Sequence, residues 1–572
     1  MVAAAVSAAL ALAPAASAQA PSVPGSTTPR IEVSESLPDK PGGYELGPRE
    51  AIRIANRDAK VQETRERWGM LEAVAEAELP STWKIGYVAE GSERAQVLVD
   101  DPTGTVRESW TGYQVAWQMA RGYEGSFGHL LNAPYVWIPL SALFFFGLFD
   151  FRRPRRIVHL DLLVLLSFSI SQIFFNAANI GLSVPLSYPP LVYLLVRMLW
   201  IGFRGPGEGL RPTAPVAWLA IATCFLLGFR IALNVADSGV IDVGYSGVIG
   251  ADRITHGERL YGEDAFPDDN PFGDTYGPVN YYVYVPFELV LGWSGEWDEL
   301  PAAHAAALGF DLLTAGLLFL LGRRLRPGPR GTSLGVTLAF AWAAFPYTDY
   351  VLQSNANDTL VAALVVGALL LIASPPARGA MAALAGLTKF APLALAPLLA
   401  AGPRAGIASA DPETGDAPLS RRRLRALALF ALGFAGAGAL VLLQSLLDSG
   451  LATFFERTIQ NQVDRDSPFS VWGQVPGLDW LQVAAQVGAA ALAVLVAFLP
   501  RRRTLPQIAA LAAAVLIAAQ LTADHWFYLY IVWFLPGLFA ALSVGKPEPR
   551  IAKPPEPDRV PDPLRVVEPQ RV

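Results

Sequence analysis

Residues 301–350 read PAAHAAALGFDLLTAGLLFLLGRRLRPGPRGTSLGVTLAFAWAAFPYTDY. The run 301–321 has the length, about 20 residues, that an apolar helix needs to cross a bilayer. Arg323, Arg324, Arg326 and Arg330 follow, and a second apolar run fills 332–350. An apolar run, an arginine turn and a second apolar run describe a membrane hairpin with its turn on the cytoplasmic side. The composition agrees over the whole chain: of 572 residues, 52% are hydrophobic and only 16% charged. Soluble domains carry about a quarter charged residues, so this balance excludes a soluble multidomain protein and a disordered scaffold. A net charge of -6 excludes a nucleic-acid binder with a broad basic surface. The single cysteine, Cys224, excludes an intramolecular disulfide and a cysteine-based metal cluster.

The same pattern repeats on both sides. Apolar runs occupy 133–149, 157–175, 182–201, 214–235, 357–374, 426–446, 480–499, 505–521 and 526–544, which with the first two makes about eleven spans. Arginines recur between them at 152–156, at Arg204 and Arg211, at 421–425 and at 501–503. All fall on one side if two further apolar stretches do not cross. Residues 281–293, short and aromatic, are expected to lie along the outer surface as an interfacial helix. Residues 379–400 are expected to form a re-entrant hairpin with Lys389 near its middle. A lone lysine at that depth costs about 2.5 to 3.5 kcal/mol, so Lys389 needs an anionic partner. A single tilted span with Lys389 reaching to an interface is the competing reading.

The fold class is therefore mainly α, a polytopic transmembrane helical bundle at 131–544, preceded by a small α+β domain at 21–130. Residues 1–20 have the apolar stretch and small-residue end of a signal peptide or signal anchor, which places the small domain outside the membrane. In that domain, 50–70 reads as an amphipathic helix, 83–88 and 95–100 as strands, and Asp101-Pro102-Thr103-Gly104 as a turn. The proline-rich tail 545–572 is expected to be disordered and cytoplasmic. The longest loop, 236–300, carries the densest acidic composition and is expected outside.

The helix, the strand pair and the string VDDPTGTV resemble a PepSY-type domain, which implies a protein partner for the exported front. The strings IDVGYSGVIGADRITHGERLYG and DTYGPVNYYVYVPFELVLG resemble the first external loop of GT-C superfamily glycosyltransferases, particularly polyprenyl-phosphate-mannose-dependent mannosyltransferases. LQSNANDTLVAALVVGALLL, ALAGLTKFAPLALAPLLA and ADHWFYLYIVWFLP resemble the family's polar loop, its lysine-bearing hairpin and its last external histidine segment. The resemblance spans about 214–544. It implies a sugar transferred from a polyprenyl-phosphate donor to a lipid or glycan acceptor, with an aspartate early in the loop as base. Asp242 matches that position and Asp237 is the fallback. Where the family's loop has two prolines after its tyrosine, this chain reads Tyr276-Gly277-Pro278.

The chemistry asks for the same residue types. An acceptor hydroxyl attacking an anomeric carbon needs a carboxylate on its own side, and one carboxylate suffices for an inverting displacement. The departing phosphate needs cationic donors opposite, for which Lys389, His525, Arg457 and Arg465 are the candidates. A lone histidine is more often structural than catalytic. Tyr276, Tyr281, Asn355, Asn357 and Asp358 are expected to line the cavity, although Asn-Asp-Thr also suits a helix cap. Tyr281, Tyr282, Tyr284, Phe287 and Trp293 either line a groove for a polyprenyl chain or form an aromatic belt at the lipid interface. No metal and no cofactor are expected: Asp268, Asp269 and Asp274 lack a glycine-based loop or a histidine. Beyond donor and acceptor, the expected partner is membrane lipid, and no nucleic acid. A polytopic transporter or flippase is the alternative, against which the absence of inverted repeats in the sequence counts.

Overall fold

The computed structural model describes residues 30–31, 40, 42–78, 81–122, 129–268, 270–403, 421–463 and 467–545. The expected export segment 1–20, almost all of the tail, and Arg465 lie outside the described residues.

The front domain is a five-stranded antiparallel meander in chain order. Its strands are β1 (Arg30–Ile31), β2 (Glu72–Glu78), β3 (Thr82–Ala89), β4 (Ser92–Asp100) and β5 (Thr105–Thr111). Trp83, Ile85 and Tyr87 alternate onto one face of β3 and pack with Val97, Val99, Ala51, Ala55 and Val61. The single helix expected at 50–70 is two, Pro48–Ala55 and Ala59–Trp68. The break is chemical: the Asp58 carboxylate accepts from the backbone N–H groups of Lys60 and Val61 and starts a new helix. The 83–88 and 95–100 strands and the 101–104 turn are present as read. Sequence reading missed β2, whose EAVAEAE alternation pairs small apolar with charged residues.

The remainder is helical. Among the described residues, six helices are long and apolar enough to cross a membrane: Ile157–Asn176, Ile180–Arg204, Val216–Ala236, Pro301–Leu325, Arg423–Asp448 and Asp479–Phe498. Shorter apolar helices include Pro134–Leu148, Asp358–Leu370 and Leu505–Leu521. The 332–350 run is split at Phe345 and Pro346 into helices Pro329–Ala344 and Pro346–Gln353. The outer faces suit a lipid solvent: Leu440 and Leu447 are each 76% exposed and Trp480 is 72% exposed. The arginine turn at 323–330 joins two helices in backbone contact. A Cβ on Gly322 would lie 2.3 Å from Gly335 N, so small residues set this crossing.

The arginine-bearing ends gather at one end of the bundle. Arg156 pairs with Glu208 at 2.9 Å, and the Leu210 N–H donates to Leu542 O. Arg326 Nη2 donates to Ser543 O, Gln507 Nε2 to Gly202 O, and Arg503 Nε to Gly402 O. The small domain docks at the other end, where Gln114 Nε2 donates to Ala178 O at 3.0 Å.

Residues 375–401 fold back on themselves. The Pro375–Thr388 helix stops at Lys389, and a 3-10 turn and the Ala396–Ala401 helix return. Arg378, near the start, donates from Nε to Leu399 O at 2.7 Å and from Nη2 to Ala400 O, near the finish. Both ends of the segment therefore lie together, with Lys389 at the far bend.

Candidate functional site

Four side chains from separate parts of the chain meet at the bend. Asp242 opens the Asp242–His256 helix, where its negative charge suits the helix N-terminus, and it is exposed. Tyr276 Oη donates to Asp242 Oδ2 at 3.3 Å. The Lys389 ammonium sits 5.0 Å from the Tyr276 ring centroid and 3.7 Å from Asp358 Oδ1. Asp358 is buried, accepts from Trp533 Nε1 at 2.8 Å, and lies within electrostatic reach of Asp242. It is the anionic partner that a lysine in an apolar segment requires.

Backbone pairing fixes this meeting. The N–H groups of Gly239 and Ile241 donate to Gln353 O and Ser354 O, at 3.1 and 3.2 Å. The extended segment leading into Asp242 thus rides on the turn leading into Asp358. Gly277 supplies the second constraint: a Cβ there would lie 2.0 Å from Leu387 O, beside the lysine. The departure from two prolines is therefore a requirement of close approach, since only glycine lets the Tyr276 turn lie against the hairpin.

The cavity candidates divide. Asn357 Nδ2 donates to Asn280 Oδ1, and Asn280 Nδ2, Asn357 Oδ1 and Asp358 Oδ2 are buried without a hydrogen-bond partner among the described residues. These three atoms are free to hydrogen-bond a water or a polar ligand. Asn355 is not in this group. With φ +50°, it turns its amide inward, donating to Ser238 Oγ and Gly239 O and accepting from Asn234 Nδ2 at 2.9 Å. It locks the turn instead of lining a cavity. Tyr281 is likewise internal: it is fully buried and donates to Gly273 O at 2.7 Å. Burial pushes its phenol well above the usual range, so it remains a donor. Tyr284 is buried beside it in the loop's own core, whereas Leu289 and Val290 of the short helix Val285–Leu291 are exposed.

Among the described residues, Lys389 is the expected cation that meets Tyr276 and Asp358. Arg457 is committed to Asp274 in a bidentate pair, at 2.6 and 2.8 Å, and Asp274 holds the guanidinium above its usual range. That pair fastens the 454–480 segment to the acidic loop. His525 shares a hydrogen bond with Ser467 Oγ at 2.9 Å and lies among Trp117, Phe469 and Tyr530. Its link to the site is indirect: Tyr530 stacks on Trp533 at 4.5 Å, and Trp533 reaches Asp358. Asp237 ends the Val216–Ala236 helix and accepts from the Leu130 N–H, which gives it a structural task. Sequence reasoning missed Asn280 and Trp533, both inside the strings that carry the family resemblance but of residue types that signal nothing alone. Compared with models of protein families and with curated proteins, the sequence gives no match to either.

Proposed function

We propose that the chain is an integral membrane glycosyltransferase of the GT-C kind. It moves a mannose-like hexose or a pentose from a polyprenyl-phosphate donor to a cell-envelope acceptor, with inversion. Eleven apolar segments and the folded-back 375–401 segment form the membrane domain, with arginine ends in the cytoplasm and the small PepSY-like domain and site outside. The small domain is where a protein partner would dock.

The observation that carries this reading is the meeting of Asp242, Tyr276, Asp358 and Lys389, which come from a loop and two later segments. Asp242 is the exposed carboxylate, so it takes the proton of the acceptor hydroxyl as that oxygen attacks the anomeric carbon. The bond from the anomeric carbon to the phosphate oxygen breaks, and polyprenyl phosphate leaves. Lys389 receives the charge that develops on the phosphate, in a site where Asp358 and the Tyr276 ring hold the ammonium in place. Asn280 Nδ2, Asn357 Oδ1 and Asp358 Oδ2 supply polar contacts for sugar hydroxyls.

Asp242→Asn tests it. Purified protein in nanodiscs should lose sugar transfer from a polyprenyl-phosphate donor by about 10²- to 10⁴-fold while keeping donor affinity. Transfer at the parent rate, or lipid movement unaffected with no transfer in either protein, would favour a transporter.

A further inference from the structure

A second polar cluster lies inside the bundle, apart from the proposed reaction. Arg230 of the Val216–Ala236 helix, Asp311 of Pro301–Leu325 and Asp349 of Pro346–Gln353 are at most 2% exposed. One guanidinium faces two carboxylates, so full ionisation would leave a net negative charge among buried aromatic and aliphatic side chains.

The contacts are unequal. Asp311 Oδ1 accepts from Arg230 Nη2 and from Trp342 Nε1, each at 2.8 Å. Asp349 Oδ1 lies 3.5 Å from Arg230 Nε, which makes no hydrogen bond among the described residues. Arg230 thus hydrogen-bonds Asp311 and makes only a longer ion pair with Asp349. Asp349 is bonded instead to a neutral group one helical turn on, Gln353, whose Nε2 donates to Asp349 Oδ1 at 2.7 Å. That Nε2 also donates to Arg230 O at 3.3 Å, so two acceptors fix the amide orientation. The remaining oxygens of this bonded pair, Asp349 Oδ2 and Gln353 Oε1, are both buried acceptors with no donor among the described residues. Arg230 and Asp311 are the charged groups that act on Asp349.

A hydrogen on Asp349 Oδ2 would neutralise the cluster, and Gln353 Oε1 is the unpartnered acceptor on the residue already bonded to Asp349. We propose that Asp349 is a proton-binding site: it is a neutral acid whose Oδ2–H donates to Gln353 Oε1, closing an acid–amide ring. The ring stands at the foot of the turn that carries Asp242, since Gln353 O and Ser354 O accept the Gly239 and Ile241 N–H groups. It stiffens that turn whatever reaction the protein performs.

The test is infrared spectroscopy of the full chain in nanodiscs, paired with thermal unfolding. The spectrum at neutral pH should contain the carbonyl stretch of a protonated carboxyl that shifts in D2O and disappears in Asp349→Asn. That substitution replaces the O–H donor by an N–H donor to the same oxygen, so its unfolding midpoint should match the parent's. Gln353→Leu, which breaks the ring, should lower the midpoint. No difference band, or an Asp349→Asn variant as unstable as Gln353→Leu or unable to fold, overturns the proposal.

Discussion

Lys389 and Asp358 form the contact on which the site's charge balance depends. Lys389→Met leaves a buried carboxylate without its cation, which costs about 3 to 5 kcal/mol of stability and confuses any activity measurement. Adding Asp358→Asn removes the orphaned charge. The double variant should recover most of the lost thermal stability yet bind a polyprenyl-phosphate donor at least about tenfold more weakly than the parent, measured by donor titration. Parent-like affinity would remove Lys389 from the donor site. That Lys389 needs an anion was legible from one residue in an apolar stretch; that Asp358 provides it was not, because the pairing exists only after two distant segments pack. Arg230, Asp311 and Asp349 carried the same signal, an ionisable residue within an apolar run, and the run's overall hydropathy concealed it.

The elements that position these residues depend on close backbone approach. The fold-back at 375–401 corresponds to the hairpin that arginine placement suggested at 379–400 in preference to a tilted span, and the bond from Arg378 to Leu399 O joins its ends. The glycine after Tyr276 answers to a distance that no sequence contains. Gly277→Ala should push the turn off Leu387 O, displacing Tyr276 from Asp242 and from Lys389 together. A shift of about 1 Å lowers turnover about 100-fold where chemistry needs alignment. Steady-state transfer by Gly277→Ala, with protein yield and unfolding midpoint close to the parent's, checks this; parent-like turnover would show that the close approach is not needed. The interfacial aromatics divided for a related reason: periodicity cannot tell a ring facing lipid from one, such as Tyr281, facing the loop's own core.

At the scale of the molecule, the grouping of the arginines at one end of the bundle was the more legible property. Arginines separated by hundreds of residues gather at one end, and the small domain, the acidic loop and the turn before Asp358 gather at the other. The number of crossings was less legible, since prolines such as Pro346 divide apolar runs into helices shorter than a bilayer is thick. The site occupies the domain-bearing end, which the proposed function puts outside the membrane, within reach of a cell-envelope acceptor and an outer-leaflet donor. A cryo-electron microscopy map of the protein in nanodiscs with bound polyprenyl phosphate puts that placement to the test. Phosphate density should touch Lys389, across the cleft from Asp242, with the isoprenoid chain running into the membrane. Lipid phosphate held among the arginines at the opposite end, with Lys389 untouched, would contradict the transferase reading.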